Sequence, residues 1–553
     1  MSAKRQQRSA AFTPLQHPDA DGAGIVRTPP ATSTVKRPEG RAPDAPAPTG
    51  PNMPAQGNAL GHTPQNTPSP DGAKDGGELP NGWRRVAIKD MADSIQYGHT
   101  ASAIDRQDGP RFLRITDIQD GRVDWSAVPS CDIPRDDIPK YRLSSGDLVF
   151  ARTGATTGKS FLIGDCPEAV FASYLIRVRV SADVDSRYLS AFFQSPDYWR
   201  QIEGGKRGIG QPNVNGQVLG EVQFPIAPLP EQRRIVAEIE KQFTRLEAGV
   251  AALRRVQAKL KRYRAAVLKA ACEGRLVPTE AALARSPRSP KNGPPAYETG
   301  QALLARILTE RRQNWQGRGQ YKEPAAPDAT KLPSLPDGWA WASVEQLGDV
   351  QLGRQRSPKN VSKNYPTKYI RAANITERGI DVSDVLEMEF SPAERERFAL
   401  RDGDIVLSEA SGSPSQVGKP AVWREELPLC CFQNTVLRLR PAVVGPKYVL
   451  VAFQHFYANS VFAKVAGGVG INHLGAEKFS AIPFPFPPLA EQTRIVAEVE
   501  RRLSVVEELE SVVTANLQRA TRLRQSILQK AFTGELTREA TCKEGLQVQT
   551  NRR

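Results

Sequence analysis

Few residues in this chain could do chemistry, and none sits at a working spacing. The nearest approach to a phosphate-binding loop is Gly154-Ala155-Thr156-Thr157-Gly158-Lys159-Ser160. Such a loop needs four residues between its glycines, so that backbone N–H groups wrap the phosphates, and a long helix after it. Here three intervene, and Phe161-Leu162-Ile163-Gly164-Asp165 turns again at once. Methyl transfer to a base calls for a Gly-rich fingerprint and an Asn/Asp-Pro-Pro-aromatic string. The nearest string, Asn292-Gly293-Pro294-Pro295-Ala296-Tyr297, is wrongly spaced. No Asp, Glu and Lys cluster suits a metal-dependent nuclease, and no nucleophile has a base at usable spacing. Cysteines 131, 166, 272, 430, 431 and 542 form no C-x-x-C pair and do not cluster with the five histidines. That argues against a zinc ribbon or a secreted disulfide framework and fits a reducing cytosol.

Binding residues are more plentiful. From Gly353 to Arg371 there are six cations (Arg354, Arg356, Lys359, Lys363, Lys368, Arg371) and no acid. Phosphate contacts need such cations, and Arg also makes bidentate contacts to guanine edges. The matching stretch of the first half, with Tyr97, His99 and Arg114, is less basic but rich in hydrogen-bonding groups. The decoy loop and its counterpart from Gly412 read as surface loops presenting Lys159 and Lys419. Glycine-rich turns lie at 204–213, with Lys206, Arg207, Gln211 and Asn213, and at 467–473, with Asn472 and His473. Glycines let a backbone approach a partner closely, although a structural turn explains them equally well. Arg152 and Glu409 stand at equivalent points. Either they read different bases, Arg a guanine and Glu a cytosine amine, or they belong to buried ion pairs.

The elements that must position these residues are written twice. Pro228-Leu229-Pro230-Glu231-Gln232-Arg233-Arg234-Ile235-Val236 recurs as Pro488-Leu489-Ala490-Glu491-Gln492-Thr493-Arg494-Ile495-Val496. After each, apolar residues step by threes, fours and sevens: Ile235, Ile239, Leu246, Val250, Leu253, Leu260, Tyr263 and Val267, then Ile495, Val499, Val506, Leu509, Val513, Ala520, Leu523 and Ile527. This predicts two long helices whose a/d seams pack together, antiparallel. Gly274 and Gly534 stand where a helix stop belongs. Leu79-Pro80-Asn81-Gly82-Trp83 and Leu335-Pro336-Asp337-Gly338-Trp339 open two globular stretches of short strands, Gly/Asp turns and helices near 187–202 and 447–464.

The predicted fold class is therefore α+β: two similar mixed α/β domains separated by a long antiparallel two-helix coiled coil, an internal pseudo-twofold repeat. The predicted boundaries are a Pro/Ala/Gly-rich disordered tail at 1–76, domains at 77–227 and 334–487, and helices at 228–277 and 488–537. A linker with a short helix spans 278–333, and a tail follows at 538–553. The net charge of +15 and pI of about 9.5 suit a polyanionic partner. No apolar run approaches a membrane span and no signal core follows the basic start, so a cytoplasmic protein is expected.

These strings resemble the specificity subunit of type I restriction–modification systems. The doubled Pro-Leu-x-Glu-Gln-x-Arg-Ile-Val motif carries the likeness, with Ala531-Phe532-Thr533-Gly534-Glu535-Leu536, both Gly-Trp openings, Phe112-Leu113-Arg114-Ile115-Thr116-Asp117-Ile118, and Gly146-Asp147-Leu148-Val149-Phe150-Ala151-Arg152-Thr153-Gly154. The likeness covers about 79–537. It implies two target-recognition domains, each reading one half of an asymmetric, interrupted site in double-stranded DNA. It also implies helices that dock two methyltransferase subunits, here through the stretches holding Glu231, Gln232, Arg234, Glu491, Gln492 and Arg494, with motor-nuclease subunits joining. This chain then does no chemistry and binds no cofactor or metal; S-adenosylmethionine, ATP and Mg are expected on the partners. The first helix departs from the pattern, closing with Ala-Cys-Glu-Gly-Arg-Leu, and the long N-terminal tail is atypical. The rival readings are a DNA-binding or coiled-coil scaffold in another phage-defence complex and a divergent nuclease or NTPase.

Overall fold

A computed structural model of the protein describes residues 79–538, apart from 106–107, 120, 155, 206–213, 287–296, 318, 356–363, 443 and 469–471. The expected tails therefore lie almost entirely outside the described residues.

Two helices of 44 residues each, Leu229–Cys272 and Leu489–Phe532, organise the rest. At 1.5 Å per residue each runs about 66 Å. Pro228 and Pro488 precede them, and Glu231 and Glu491 place negative charge in the first turn, where the helix dipole favours it. Gly274 and Gly534 stop them in the left-handed region, at φ +65° and +77°. A Cβ on Gly274 would lie 2.5 Å from Pro336, and one on Gly534 2.3 Å from Pro80. Each helix thus ends against the Leu-Pro-x-Gly-Trp opening of the other globular domain, where only glycine fits.

The helices pack on each other in opposite directions. Glu247 meets Arg524 at 3.2 Å, while Arg264 meets Glu507 and Glu510 at 3.5 and 3.4 Å. Arg264–Glu507 and Arg524–Glu247 are equivalent pairs under the 260-residue repeat. Leu260, Val506 and Val513 close the middle of the seam, flanked by Leu253 and Leu517. This middle is narrow, and exposed ion pairs contribute roughly 0–1 kcal/mol each. They select the antiparallel register more than they hold it. The seam expected from the heptads is corrected at three places: Tyr263, Leu509 and Leu523 are exposed. A strict 3.5-residue repeat drifts off a 3.6-residue helix, so these side chains turn outward.

The large apolar contacts are at the helix ends. Ile235, Val236 and Ile239, near the start of the first helix, enter the core of the first domain. Ile527, Leu528, Ala531 and Phe532, at the end of the second helix, enter the same core. Phe532 lies 5.1 Å from the ring of Tyr188 and 5.4 Å from that of Phe192, edge on. The second domain mirrors this, taking Ile495, Val499 and Leu503 from its own helix and Val267, Leu268, Ala271 and Cys272 from the other. Each domain is closed by the far end of its partner's helix.

Both domains share a four-stranded central sheet. In the first, strands Ala92–Tyr97, Leu175–Val180, Leu148–Ala151 and Ser160–Leu162 are neighbours in that order, all antiparallel. In the second, the order is Gly348–Leu352, Val436–Pro441, Ile405–Ser408 and Pro420–Val422. A second sheet in each holds one parallel pair, Arg111–Leu113 with Ala169–Phe171 and Pro366–Ile370 with Cys431–Phe432. Buried carboxylates pin the central sheets: Asp147 takes Arg179 at 2.9 Å and Asp404 takes Arg440 at 2.7 Å. The helical stretches expected at 187–202 and 447–464 are each broken in two, as Ser186–Phe192 with Pro196–Gly205 and Pro446–Ala458 with Val461–Val465. Between the domains, helix Gly300–Gln313 buries Leu303, Leu304 and Ile307 in the second domain's core.

Phe532→Ala removes a buried ring from a core more than 300 residues away in sequence. It should cost about 3–5 kcal/mol of stability. By hydrogen exchange, the loss of protection should fall on 175–192 in the first domain and spare 436–456 in the second.

Candidate nucleic-acid interface

The two domains share one backbone frame at the place where the candidate contact residues gather. In the first, the Gly98 N–H donates to Leu175 O (3.3 Å), His99 N–H to Phe171 O (2.8 Å), Arg152 N–H to Tyr174 O (3.0 Å) and Val214 N–H to Arg152 O (3.0 Å). In the second, Gly353 donates to Val436 (3.1 Å), Arg354 to Phe432 (3.0 Å), Glu409 to Thr435 (2.8 Å) and Leu474 to Glu409 (2.9 Å). A Cβ on Gly98 or Gly353 would fall 2.2 Å from a carbonyl oxygen, so both positions require glycine. The frame makes Tyr97 equivalent to Leu352, His99 to Arg354, Arg152 to Glu409 and Tyr174 to Thr435. The backbone repeats while the side chains differ at every one of these positions.

In the first domain Tyr97 is exposed, and its hydroxyl accepts the Gly216 N–H at 2.8 Å. The Arg152 guanidinium lies 5.1 Å from the Tyr97 ring centroid, a cation–π distance, and its buried Nε meets no acceptor among the described residues. His99 Nε2 lies 3.3 Å from Asp132 O. Arg114 is spent on Asp117, which accepts from its Nε and Nη2 at 3.0 and 2.7 Å. Lys159 stands, half-buried, on the hairpin joining Leu148–Ala151 to Ser160–Leu162. That loop returns to a strand, as a nucleotide-binding loop would not.

In the second domain the expected run of unopposed cations is corrected. Arg354 is buried, gives Nε to Glu394 at 2.6 Å and stacks on Phe390. Arg371 is paired with Asp384. These acids come from later in the chain, and only folding brings them to the cations. Lys368 remains exposed. Glu409 is buried against His473, whose neighbour Asn472 pairs with Ser411, and Lys419 lies half-buried on the adjoining loop. Lys206, Arg207, Gln211, Asn213, Arg356, Lys359 and Lys363 lie outside the described residues.

The doubled motif works mostly inside the chain. Trp83 Nε1 donates to Glu231 at 3.1 Å, and Trp339 Nε1 to Glu491 at 3.0 Å. Gln232 accepts the Asp185 N–H at 2.9 Å and donates to Ala227 O at 2.8 Å and Asp183 O at 3.0 Å; Gln492 donates to Pro487 O at 2.9 Å. Burial pushes the Glu491 carboxyl above the usual carboxylate range, against the Glu280 and Trp339 N–H groups that favour its charged form. Arg494 is held by Glu280, and Arg234 alone of the six is exposed. Contact with a partner through Gln232, Glu491 or Gln492 is therefore corrected: these three are sealed within the fold and fasten each helix to its domain.

A different surface was missed. Val256 and Tyr263 on the first helix and Val505, Leu509, Val512 and Leu523 on the second are each 41–51% exposed. At about 100° per residue, they lie on one flank of the seam, opposite Val236 and Leu268, which enter the domain cores. Exposed apolar side chains aligned on two paired helices are the kind of surface that suits an interaction site. The only sequence signal is the spacing of 505, 509 and 512, which is hard to tell from the seam itself. The first helix also carries Arg254, Arg255, Lys259, Lys261 and Arg262, all exposed, with no acid from Ala248 to Cys272.

Among the described residues no helix is long and apolar enough to cross a membrane, and no group of His, Cys, Asp and Glu could hold a metal ion. The sequence profile of the type I restriction modification DNA specificity domain matches residues 80–252. The EcoKI specificity subunit of Escherichia coli K12 is 24% identical, over 83% of this chain and 90% of its own length. The StySPI specificity subunit of Salmonella potsdam is 21% identical over the same shares. A solved structure concerning complex assembly and conformational transition of the type I R-M system has the same fold, with a TM-score of 0.56 and 20% identity over 83% of this chain and all of its own. Doubled helices, doubled domains and these likenesses agree: the chain is similar along most of its length to the specificity subunits of type I restriction–modification enzymes, and residues 80–252 match their DNA specificity domain.

Proposed function

We propose that this chain is the non-catalytic specificity subunit of a type I restriction–modification complex, each domain reading one half of a bipartite, asymmetric site in duplex DNA. The observation that carries this is the pair of matched backbone frames with unlike side chains, Arg152 against Glu409 and Tyr97 against Leu352. One scaffold then presents two chemically different surfaces, and two different surfaces read two different half-sites. The exposed cations of 254–262 add phosphate-neutralising charge between the reading surfaces. The helices fix the separation of the half-sites. Their apolar stripe docks two methyltransferase subunits, and motor-nuclease subunits complete the assembly. S-adenosylmethionine, ATP and Mg are used on those partners, and the complex works in the cytoplasm.

Two outcomes check this reading. A four-residue insertion between Arg255 and Val256 and another between Ala515 and Asn516 lengthen the stalk by about 6 Å. Methylation-sensitive sequencing should show a longer gap between half-sites with unchanged letters; changed letters at the same gap would refute the ruler. Val505→Lys with Val512→Lys alters exposed positions, so stability should stay within roughly 0.5 kcal/mol. Co-purification with methyltransferase subunits should be lost. Full assembly of that variant would remove the stripe from the docking surface.

A further inference from the structure

The position that holds Arg152 in the first domain holds a buried acid in the second, and a buried acid cannot reach a base. Glu409 is 6% exposed. Both its carboxylate oxygens lie 3.1–3.2 Å from Nδ1 of His473, whose side chain is about half exposed (55%). The imidazole is fixed through its backbone as well. Ala410 and Ser411 pair antiparallel with His473 and Asn472. Gly467 and His473 exchange N–H to carbonyl bonds of 3.0 and 2.9 Å, and the Leu474 N–H donates to Glu409 O.

We propose, on the basis of the DNA-reading function above, that His473 is a specificity-determining side chain of the second domain and that Glu409 is its positioning residue. A carboxylate only accepts, so Nδ1 carries the proton, and in the neutral tautomer this leaves Nε2 with its lone pair as the ring's remaining hydrogen-bonding atom. That acceptor matches an exocyclic amine in the major groove, the N6 amine of adenine or the N4 amine of cytosine. Arg152, at the matching place in the first domain, is a pure donor and matches the acceptor edge of guanine. With the ring neutral, the two domains carry opposite hydrogen-bonding polarity at matching places of the frame. In the second, the reading atom has moved from the strand end to the facing glycine-rich turn.

The test is selection from a pool of randomised duplexes by the full chain assembled with its methyltransferase subunits, followed by sequencing of the bound DNA. His473→Ala should erase the preference at one position of one half-site and weaken binding of the parent sequence roughly tenfold or more, as expected for loss of one base contact. Glu409→Ala should erase the preference at that same position. The double variant should lose little beyond either single change, because the two side chains act as a unit. The other half-site, read by the first domain, reports within the same molecule that the protein is folded. Unchanged letters in His473→Ala would overturn the proposal. So would an even loss of affinity across all sequences, which marks a phosphate contact, or retained letters in a destabilised Glu409→Ala protein, which marks a structural acid. A parent complex that enriches no bipartite motif would instead remove the functional reading, and this inference with it.

Discussion

Each globular domain of this protein is completed by the last turn of a helix that begins in the other. Phe532, Ala531 and Leu528 fill the first core, and Ala271, Cys272 and Leu268 the second. This exchange is the constraint on which the rest depends. The seam between the helices has a short apolar middle and a few exposed ion pairs, too little to fix so long a spacer alone. Core burial at both ends contributes several kcal/mol per large side chain and anchors each helix at two points. A helix anchored at both ends holds a length, and a pair running in opposite directions holds two domains in a pseudo-twofold relation.

The same economy applies to the reading surfaces. Gly98 and Gly353 bring one strand end against a neighbouring carbonyl so closely that no side chain fits, and the surrounding N–H bonds match one for one. The frame is therefore costly to change, while the side chains pointing away from it are free to vary. A specificity protein benefits from that division: new letters need only new tips on a fixed backbone. The proposed role of the Glu409–His473 pair adds a further option, in which the side chain at the equivalent position is a support and its neighbour across the bridge is the reader.

Much of this was legible in the sequence because it was written twice. Proline before, glycine after and heptads between mark the two helices, and their antiparallel pairing follows from a helix too long to be buried locally; the entry of each helix end into the other domain's core does not show in the sequence. The polar residues of the repeated motif misled, because Glu, Gln and Arg after a proline read as an exposed helix start. That Gln232 and Glu491 are sealed by Asp185, Ala227, Trp339 and Glu280 depends on chain segments up to 211 residues away. The cations of 353–371 misled for the same reason, since Glu394 and Asp384 neutralise Arg354 and Arg371 only after folding. The apolar stripe was hidden by arithmetic: Tyr263, Leu509 and Leu523 fit a seven-residue repeat as well as the buried seam does, and only the helix's own twist separates the two faces.

The direction in which the helices run is the claim that everything else inherits, and distances between paired spin labels test it most directly. Labels at 247 and 524, and at 264 and 507, should report short separations in the free chain. Labels at 247 and 507 should lie about 25 Å apart or more, from 17 residues of helical rise. A short 247–507 distance, or long distances at the first two pairs, would contradict this architecture and with it the fixed span between the two reading surfaces.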